Sequence, residues 1–151
     1  MATAECRHAT MRLEDQLCFP LYSCSKEVIR RYREPLARLG LTYTQYVVMM
    51  VLWECGQITE RDLGRKVHLD SGTLAPLLKR LEGRGLVRRA RDPRDWRRLR
   101  VTLTQEGADL EAQAADVADA TTDWLGLTSE EETELETLLN KAIDNLERGM
   151  Q

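Results

Sequence analysis

The sequence predicts a mainly α-helical fold with one small β-hairpin, and three observations lead there. Apolar residues recur at i, i+3, i+4 and i+7 over most of the chain, and the periods open on capping residues. Strand character gathers in two short runs, 86–90 and 99–103, on either side of the turn formers Asp92-Pro93-Arg94-Asp95. Basic residues crowd onto that hairpin and onto the helix before it, while the C-terminal third is acidic. A helix with a polar edge followed by an arginine-loaded hairpin is the layout of a winged helix-turn-helix domain. The helices on its two sides would form a dimerisation region.

The first eleven or twelve residues have no period and read as a tail. An amphipathic helix is expected over about 13–39, with Leu13, Leu17, Leu21, Val28, Tyr32 and Leu36 on one face. Pro20 lies within it. A proline there removes the backbone bond to the Gln16 carbonyl, so it either kinks the helix or marks its true start. Thr42-Tyr43-Thr44-Gln45 is a capping box, and the apolar run 43–54 behind it should be the central core helix, ended by Cys55-Gly56. Met49 and Met50 are read as core. Thr59 caps a short helix carrying Leu63 and Val67. Asp70 or Ser71 caps the next, over 70–84, where Leu74, Leu77, Leu78 and Leu81 share a face and Gly83 and Gly85 stop the helix. These two form the helix-turn-helix pair. Thr104 caps a long helix to about Trp124, a break follows at Gly126, and Thr128-Ser129-Glu130-Glu131 is a second capping box. The last helix should run to about Arg148 with Leu135, Leu138, Leu139, Ala142, Ile143 and Leu146 on one face. The acidic terminal helices cannot bury these stripes around so small a domain, so they are expected to pack with the first helix across a two-fold axis.

The whole chain narrows the class. With 151 residues, 42% hydrophobic and 31% charged, it has the size and balance of one soluble domain. No apolar run is long enough to span a membrane, and the N-terminus lacks a signal-peptide pattern. A cytoplasmic location is expected, where thiols stay reduced. Four cysteines, Cys6, Cys18, Cys24 and Cys55, lack zinc-ligand spacing and are thiols to be explained singly. His8 and His68 stand alone, and no metal or other cofactor is expected. Trp96 and Trp124 are read as packing or exposed. Glycine-rich phosphate loops, Ser/His/Asp sets and paired cleft carboxylates are missing from the sequence, which argues against an enzyme.

Charge points to a partner. Residues 79–100 hold ten Lys/Arg against Glu82, Asp92 and Asp95, a local +7 in a chain of net charge −3. From Gln105 onward thirteen acids meet two bases. A polyanion explains such a local excess better than solubility does. The helix at 70–84 would lie in the DNA major groove and the hairpin tip would reach the backbone or the minor groove.

Three motifs then carry a family resemblance. Asp95-Trp96-Arg97, followed five residues on by Leu103-Thr104, resembles the wing signature of the MarR transcription regulators, Asp-x-Arg-x5-Leu-Thr. Leu69-Asp70-Ser71-Gly72-Thr73-Leu74 with Pro76-Leu77-Leu78-Lys79-Arg80 is similar to one branch of them, the organic hydroperoxide resistance (OhrR-like) regulators. So is Leu13-Glu14-Asp15-Gln16-Leu17-Cys18-Phe19 with Leu21-Tyr22-Ser23. The likeness covers roughly residues 13–104. It implies a single MarR-type domain over 1–151, with the winged helix-turn-helix at about 42–104 and dimerisation helices at about 13–39 and 105–149.

By that resemblance Cys18 is the redox-sensing thiol. Tyr32 and Tyr43 of one subunit would donate phenolic hydrogen bonds to the Cys18 sulfur of the other. The thiolate is the attacking species, and hydrogen bonds and the positive end of a helix stabilise it. Apolar Leu17, Phe19 and Leu21 would favour organic over hydrogen peroxide. Ser71, Gly72, Thr73, Pro76 and Lys79 would lie on or near base edges, and Arg94 and Arg97 would belong to the wing. The implied function is a homodimeric repressor of a pseudo-palindromic, double-stranded operator. Organic hydroperoxide is its inducer, and it releases DNA when Cys18 is oxidised. Cys24 is read as a packing residue, and Cys55 as buried or half-buried. Family members of the two-cysteine type carry a resolving cysteine in the C-terminal helices, and this chain has none after Cys55. It therefore resembles the one-cysteine type, in which a low-molecular-weight thiol caps the sulfenic acid; Cys6 is a weaker candidate for that role. The alternative is a MarR-type repressor released by a small phenolic or drug-like ligand, with Cys18 inert. A basic architectural or RNA-binding module is a third, more distant reading.

Overall fold

The computed structural model describes residues 12–121 and 123–149. The predicted tail, Cys6 and His8 fall outside the described residues. After a single 3-10 turn at Leu13–Asp15 the order is α1 (Cys18–Leu39), α2 (Tyr43–Cys55), β1 (Gln57–Thr59), α3 (Glu60–Lys66), α4 (Ser71–Gly83), β2 (Val87–Arg91), β3 (Leu99–Leu103), α5 (Gln105–Thr121) and α6 (Ser129–Gly149). The mainly helical class with a β-wing is as expected. The chain forms two compact units, residues 1–114 and residues 115–151. Among the described residues no helix is long and apolar enough to cross a membrane.

Local chemistry places the first unit's elements. Pro20 is the third residue of α1, where a missing N–H costs no intrahelical bond, so it marks the helix start rather than a kink. The interior proline of α1 is Pro35 instead. Gly40 ends α1 in the left-handed conformation at φ +63°. Thr42 and Gln45 close the expected capping box around the start of α2. Val48, Met49 and Leu52 on α2 are fully buried. Met50 is a correction: it points away from that face and is 48% exposed.

The sheet has the order β1-β3-β2, antiparallel throughout. The β2–β3 register pairs Val87 with Leu103 and Arg91 with Leu99, one residue later at its start than the run 86–90. β1 was not expected. Its three residues pair only with β3, and Thr59 both ends the strand and caps α3 by accepting from Asp62 N–H at 3.1 Å. Between α3 and α4 the Leu69 N–H donates to the Gly64 carbonyl at 2.9 Å, which closes the helix-turn-helix turn. A Cβ on Gly64 would lie 2.9 Å from the Leu69 carbonyl oxygen, so that turn requires glycine.

The second unit holds the end of α5 and the whole of α6. Thr128 and Glu131 form the expected capping box at 2.8 and 3.3 Å. No residue of α6 is buried; Leu138 is 56% and Leu146 71% exposed. In the first unit α1 behaves similarly at one end. Leu36 and Leu39 are buried, Val28 and Tyr32 are half-buried, and Leu13, Leu17 and Leu21 are exposed. The apolar stripes the sequence predicts are therefore present, with the N-terminal end of the α1 stripe and much of the α6 stripe exposed.

The start of α5 depends on one small residue. The Thr104 hydroxyl accepts from the Gly107 N–H at 3.0 Å and donates to the Gly85 carbonyl at 2.6 Å. The Gly107 carbonyl accepts from Trp53 Nε1 at 2.8 Å. A Cβ on Gly107 would run into the Leu86 carbonyl oxygen and the Leu103 side chain. Gly107→Ala should therefore destabilise the protein by about 1–3 kcal/mol, although alanine gains about 1 kcal/mol in helix propensity. Urea unfolding of both proteins measures the balance, and a stabilised variant would contradict the close approach.

Candidate nucleic-acid interface and cysteine site

The polar face of α4 follows from how its apolar face is used. Leu74, Leu77, Leu78 and Leu81 are all buried, so the residues between them turn outward. Ser71, Gly72, Thr73, Pro76 and Lys79 are all exposed and lie together on that outward face. Asp70 is the N-cap: its carboxylate accepts from both the backbone N–H and the hydroxyl of Thr73 at 2.9 Å. Those bonds, the backbone one first, hold the Asp70 carboxyl below the usual range. With the Thr73 hydroxyl proton so occupied, its methyl group is what the helix can offer a base edge. Pro76 sits inside the helix and leaves the Gly72 carbonyl without a helical donor.

The wing is braced by its few acids. Asp92 is buried. Its carboxylate accepts from the Arg94 N–H at 2.9 Å and from Arg100 Nε at 2.7 Å, and its own N–H donates to the Arg98 carbonyl at 2.9 Å. Asp95 accepts from the Arg97 N–H at 3.2 Å and pairs with the Arg98 guanidinium at 3.3 Å. The partner of Asp95 in an ion pair is thus Arg98. Glu82 on α4 takes the N–H and Nε of Arg89 on β2 at 2.8 and 3.0 Å, tying the helix to the wing. Arg84 spends its guanidinium on two backbone carbonyls at the end of α1, Gly40 and Leu39, the latter at 3.0 Å. Lys79, Arg80, Arg88, Arg91, Arg94 and Arg97 then meet no carboxylate among the described residues. The unpaired charge lies on the exposed edge of α4 and along the wing, where a phosphate backbone would neutralise it.

The cysteine site divides within one chain. Cys18 is the first residue of α1 and is exposed. The preceding N-cap, Leu17, makes no side-chain cap bond and no acid occupies the first turn, so the thiol sits at the positive end of α1, where the Phe19 N–H donates to the Gln16 carbonyl at 3.1 Å. Tyr32 and Tyr43 come together with ring centroids 5.0 Å apart. The structure joins those two but not Cys18, which lies about 21 Å back along the same helix at 1.5 Å per residue. Burial first, and then the neighbouring Tyr32, push the Tyr43 phenol up, so it remains a hydrogen-bond donor at neutral pH. Sequence reasoning missed Tyr46. It is buried, 5.9 Å from Tyr32 and 6.2 Å from Trp53 between ring centroids, and it backs the pair. Its place two turns before Trp53 on an apolar helix was the available signal.

Two cysteine readings need correction. Cys55 is exposed, because it closes α2 on the side away from the core. Cys24 is exposed as well, on the N-terminal half of α1, whose residues are mostly exposed. Among the described residues no group of three or more His, Cys, Asp or Glu could hold a metal ion.

A helix-turn-helix with an exposed polar helix and a braced cationic wing defines a winged-helix DNA-binding protein. Residues 41–99 match the MarR family. The chain is 39% identical over 137 residues to the organic hydroperoxide resistance transcriptional regulator of Bacillus subtilis (strain 168), covering 91% of each chain. It is 39% identical over 140 residues to the HTH-type transcriptional regulator SarZ of Staphylococcus epidermidis, covering 92% of this chain and 95% of that one. Among solved structures it resembles reduced AbfR of Staphylococcus epidermidis bound to DNA. The TM-score there is 0.76 at 36% identity, over 91% of this chain and 96% of the other. The chain belongs to the MarR family and is a DNA-binding transcriptional regulator, not an enzyme.

The buried Asp92 makes the wing acid-sensitive. The Arg94 backbone N–H, followed by the Arg100 guanidinium, holds its carboxyl below the ordinary value of about 3.9. A depressed folded-state value stabilises the fold above the unfolded value, and that contribution is lost as pH falls through the folded one. The indole NMR signal of Trp96 should therefore shift as pH drops below about 4. In Asp92→Asn that step should be missing and the wing looser at neutral pH. An unchanged acid step would remove Asp92 as its source.

Proposed function

We propose that this regulator is a homodimeric repressor that senses organic hydroperoxides through Cys18 and releases its operator when that thiol is oxidised. The observation that carries the reading is the packed Tyr32–Tyr43 pair, set far from the exposed Cys18 of its own chain, so that a contact between the pair and a Cys18 sulfur calls for a second copy. The whole chain acts as one MarR-type domain, and the uncovered stripes of α1 and α6 are the dimerisation surfaces. A two-fold axis would space the two α4 helices about one turn of DNA apart, roughly 34–36 Å, over a pseudo-palindromic, double-stranded operator. Ser71, Gly72, Thr73, Pro76 and Lys79 meet the major groove, with the Thr73 methyl or Pro76 against a thymine methyl and Lys79 on a guanine or phosphate. Arg94 and Arg97 follow the wing into the minor groove. The protein works in the cytoplasm.

The chemistry is a two-step oxidation. The Cys18 thiolate attacks one peroxide oxygen; an S–O bond forms, the O–O bond breaks, and the alcohol leaves after taking up a proton. The resulting sulfenic acid condenses with a low-molecular-weight thiol, forming a disulfide and releasing water. Either product removes the anion that Tyr32 and Tyr43 hydrogen-bond, and the mixed disulfide adds bulk beside α1. Arg84 gives α1 a direct link to α4, and a shift of α1 would draw the recognition helix with it.

Cys18→Ser should fold and bind operator nearly as wild type, because serine is close in size and still meets the tyrosines. It should stay bound after one equivalent of cumene hydroperoxide, while wild type dissociates and the mass of its Cys18 peptide rises. Dissociation of Cys18→Ser under peroxide would make Cys18 inert and favour release by a small phenolic ligand instead. For the wing, Arg97→Ala should weaken operator binding by about 1–3 kcal/mol. Unchanged affinity in a binding titration would take Arg97 out of the interface.

A further inference from the structure

Trp96 stands at the crest of the wing and, apart from Arg91, little among the described residues covers it. Its side chain is 76% exposed, in a loop closed beneath it by the Asp92 N–H to Arg98 carbonyl bond and the Arg98 N–H to Asp95 carbonyl bond. The Arg91 guanidinium lies 5.9 Å from the ring centroid and supports it from one side. Arg94 and Arg97 flank it with unpaired guanidiniums. The indole N–H has no hydrogen-bond partner among the described residues. A large apolar ring held in water by a rigid turn, ringed by cations and carrying a free donor, is mismatched to solvent and suited to a groove walled by phosphates.

We propose that Trp96 is a DNA-contacting, specificity-determining residue: its indole enters the minor groove beside Arg97 and its N–H reads A·T pairs there. The proposal rests on the wing's role in DNA binding given above. The ring buries its apolar face against the sugars, as apolar wedges do in that groove. Its N–H is a donor only. In the minor groove an A·T pair presents only acceptors, adenine N3 and thymine O2, whereas a G·C pair adds the guanine N2 amino group, a donor that opposes the indole N–H. The wing would therefore discriminate base pairs that α4 never touches.

The test uses reduced, full-length protein and a duplex selected by the wild type from a random-sequence pool. The base pairs beneath the wing are set in turn to A·T, G·C or inosine·C, the last being G·C without the amino group. Wild type should bind the A·T and inosine·C duplexes about tenfold tighter than the G·C duplex. Trp96→Phe keeps the ring and loses the donor, so it should bind the A·T duplex within about threefold of wild type and lose most of the preference. Trp96→Ala should bind all three duplexes about tenfold more weakly than Trp96→Phe, with an unchanged salt slope, because no phosphate contact is lost. Acrylamide quenching gives a second readout: the Trp96 signal, wild type minus Trp96→Phe, should be accessible in free protein and shielded in the complex. Affinity and base preference unchanged in Trp96→Ala, or an indole equally quenched with and without DNA, would overturn the proposal. Arg97→Ala in parallel separates the two readings. If it weakens binding while Trp96→Ala does not, the wing stands and Trp96 falls; if neither matters, the wing reading fails first.

Discussion

The leucine seam of α4 is the constraint from which the rest of the DNA-binding unit follows. Leu74, Leu78 and Leu81 are essentially inaccessible and Leu77 nearly so. Burying each contributes on the order of 1.5–3 kcal/mol relative to exposure. That anchoring fixes the rotation of the helix about its own axis, and the rotation decides which residues face out. Ser71, Thr73, Pro76 and Lys79 are presented together because the leucines cannot be presented at all. The helix tolerates an interior proline in the middle of that face because packing, not backbone bonding, holds it.

Around that helix the acids of the basic stretch act as structural parts. Glu82, Asp92 and Asp95 each take an arginine, and each pairing joins two pieces of backbone: helix to strand, turn to strand, or the two sides of the tip. The arginines divide accordingly. Arg89, Arg98 and Arg100 shape the wing, and Arg94 and Arg97 are left to meet a partner. A count of charges predicts the net excess but not this division of labour, which depends on one contact three residues apart in the tip and two contacts seven and eight apart.

What the sequence made legible follows the range of each interaction. The capping boxes at Thr42 and Thr128, the Thr59 and Thr104 caps and the leucine period of α4 are local, and all are present with bounds shifted by a residue or two. The outward face of α4 was readable for the same reason. The site residues missed were those set by long-range contacts. β1 is three residues long, too short to show alternation, and exists only because β3 is beside it. In the sequence Arg84 is one more cation of the basic stretch 79–100, whereas its guanidinium sits on carbonyls 44 and 45 positions away. Tyr46 was hidden in a uniformly apolar helix, where no period separates a core ring from one that supports a site. Met50 and Cys55 were misjudged for that reason too: when nearly every residue is apolar, composition cannot tell which side of the helix faces in.

The link between α1 and α4 is one-sided in a way that matters for how the protein can change. Arg84 donates to main-chain oxygens, and a substitution at Leu39 leaves its oxygen in place. The acceptor half is thus immune to side-chain mutation, apart from position 40. There a Cβ would fall 2.8 Å from the guanidinium, and the backbone conformation already favours glycine. The whole connection is vulnerable at only two codons, one requiring arginine's reach and the other requiring no side chain. Sequence drift in α1 can proceed without breaking its hold on α4.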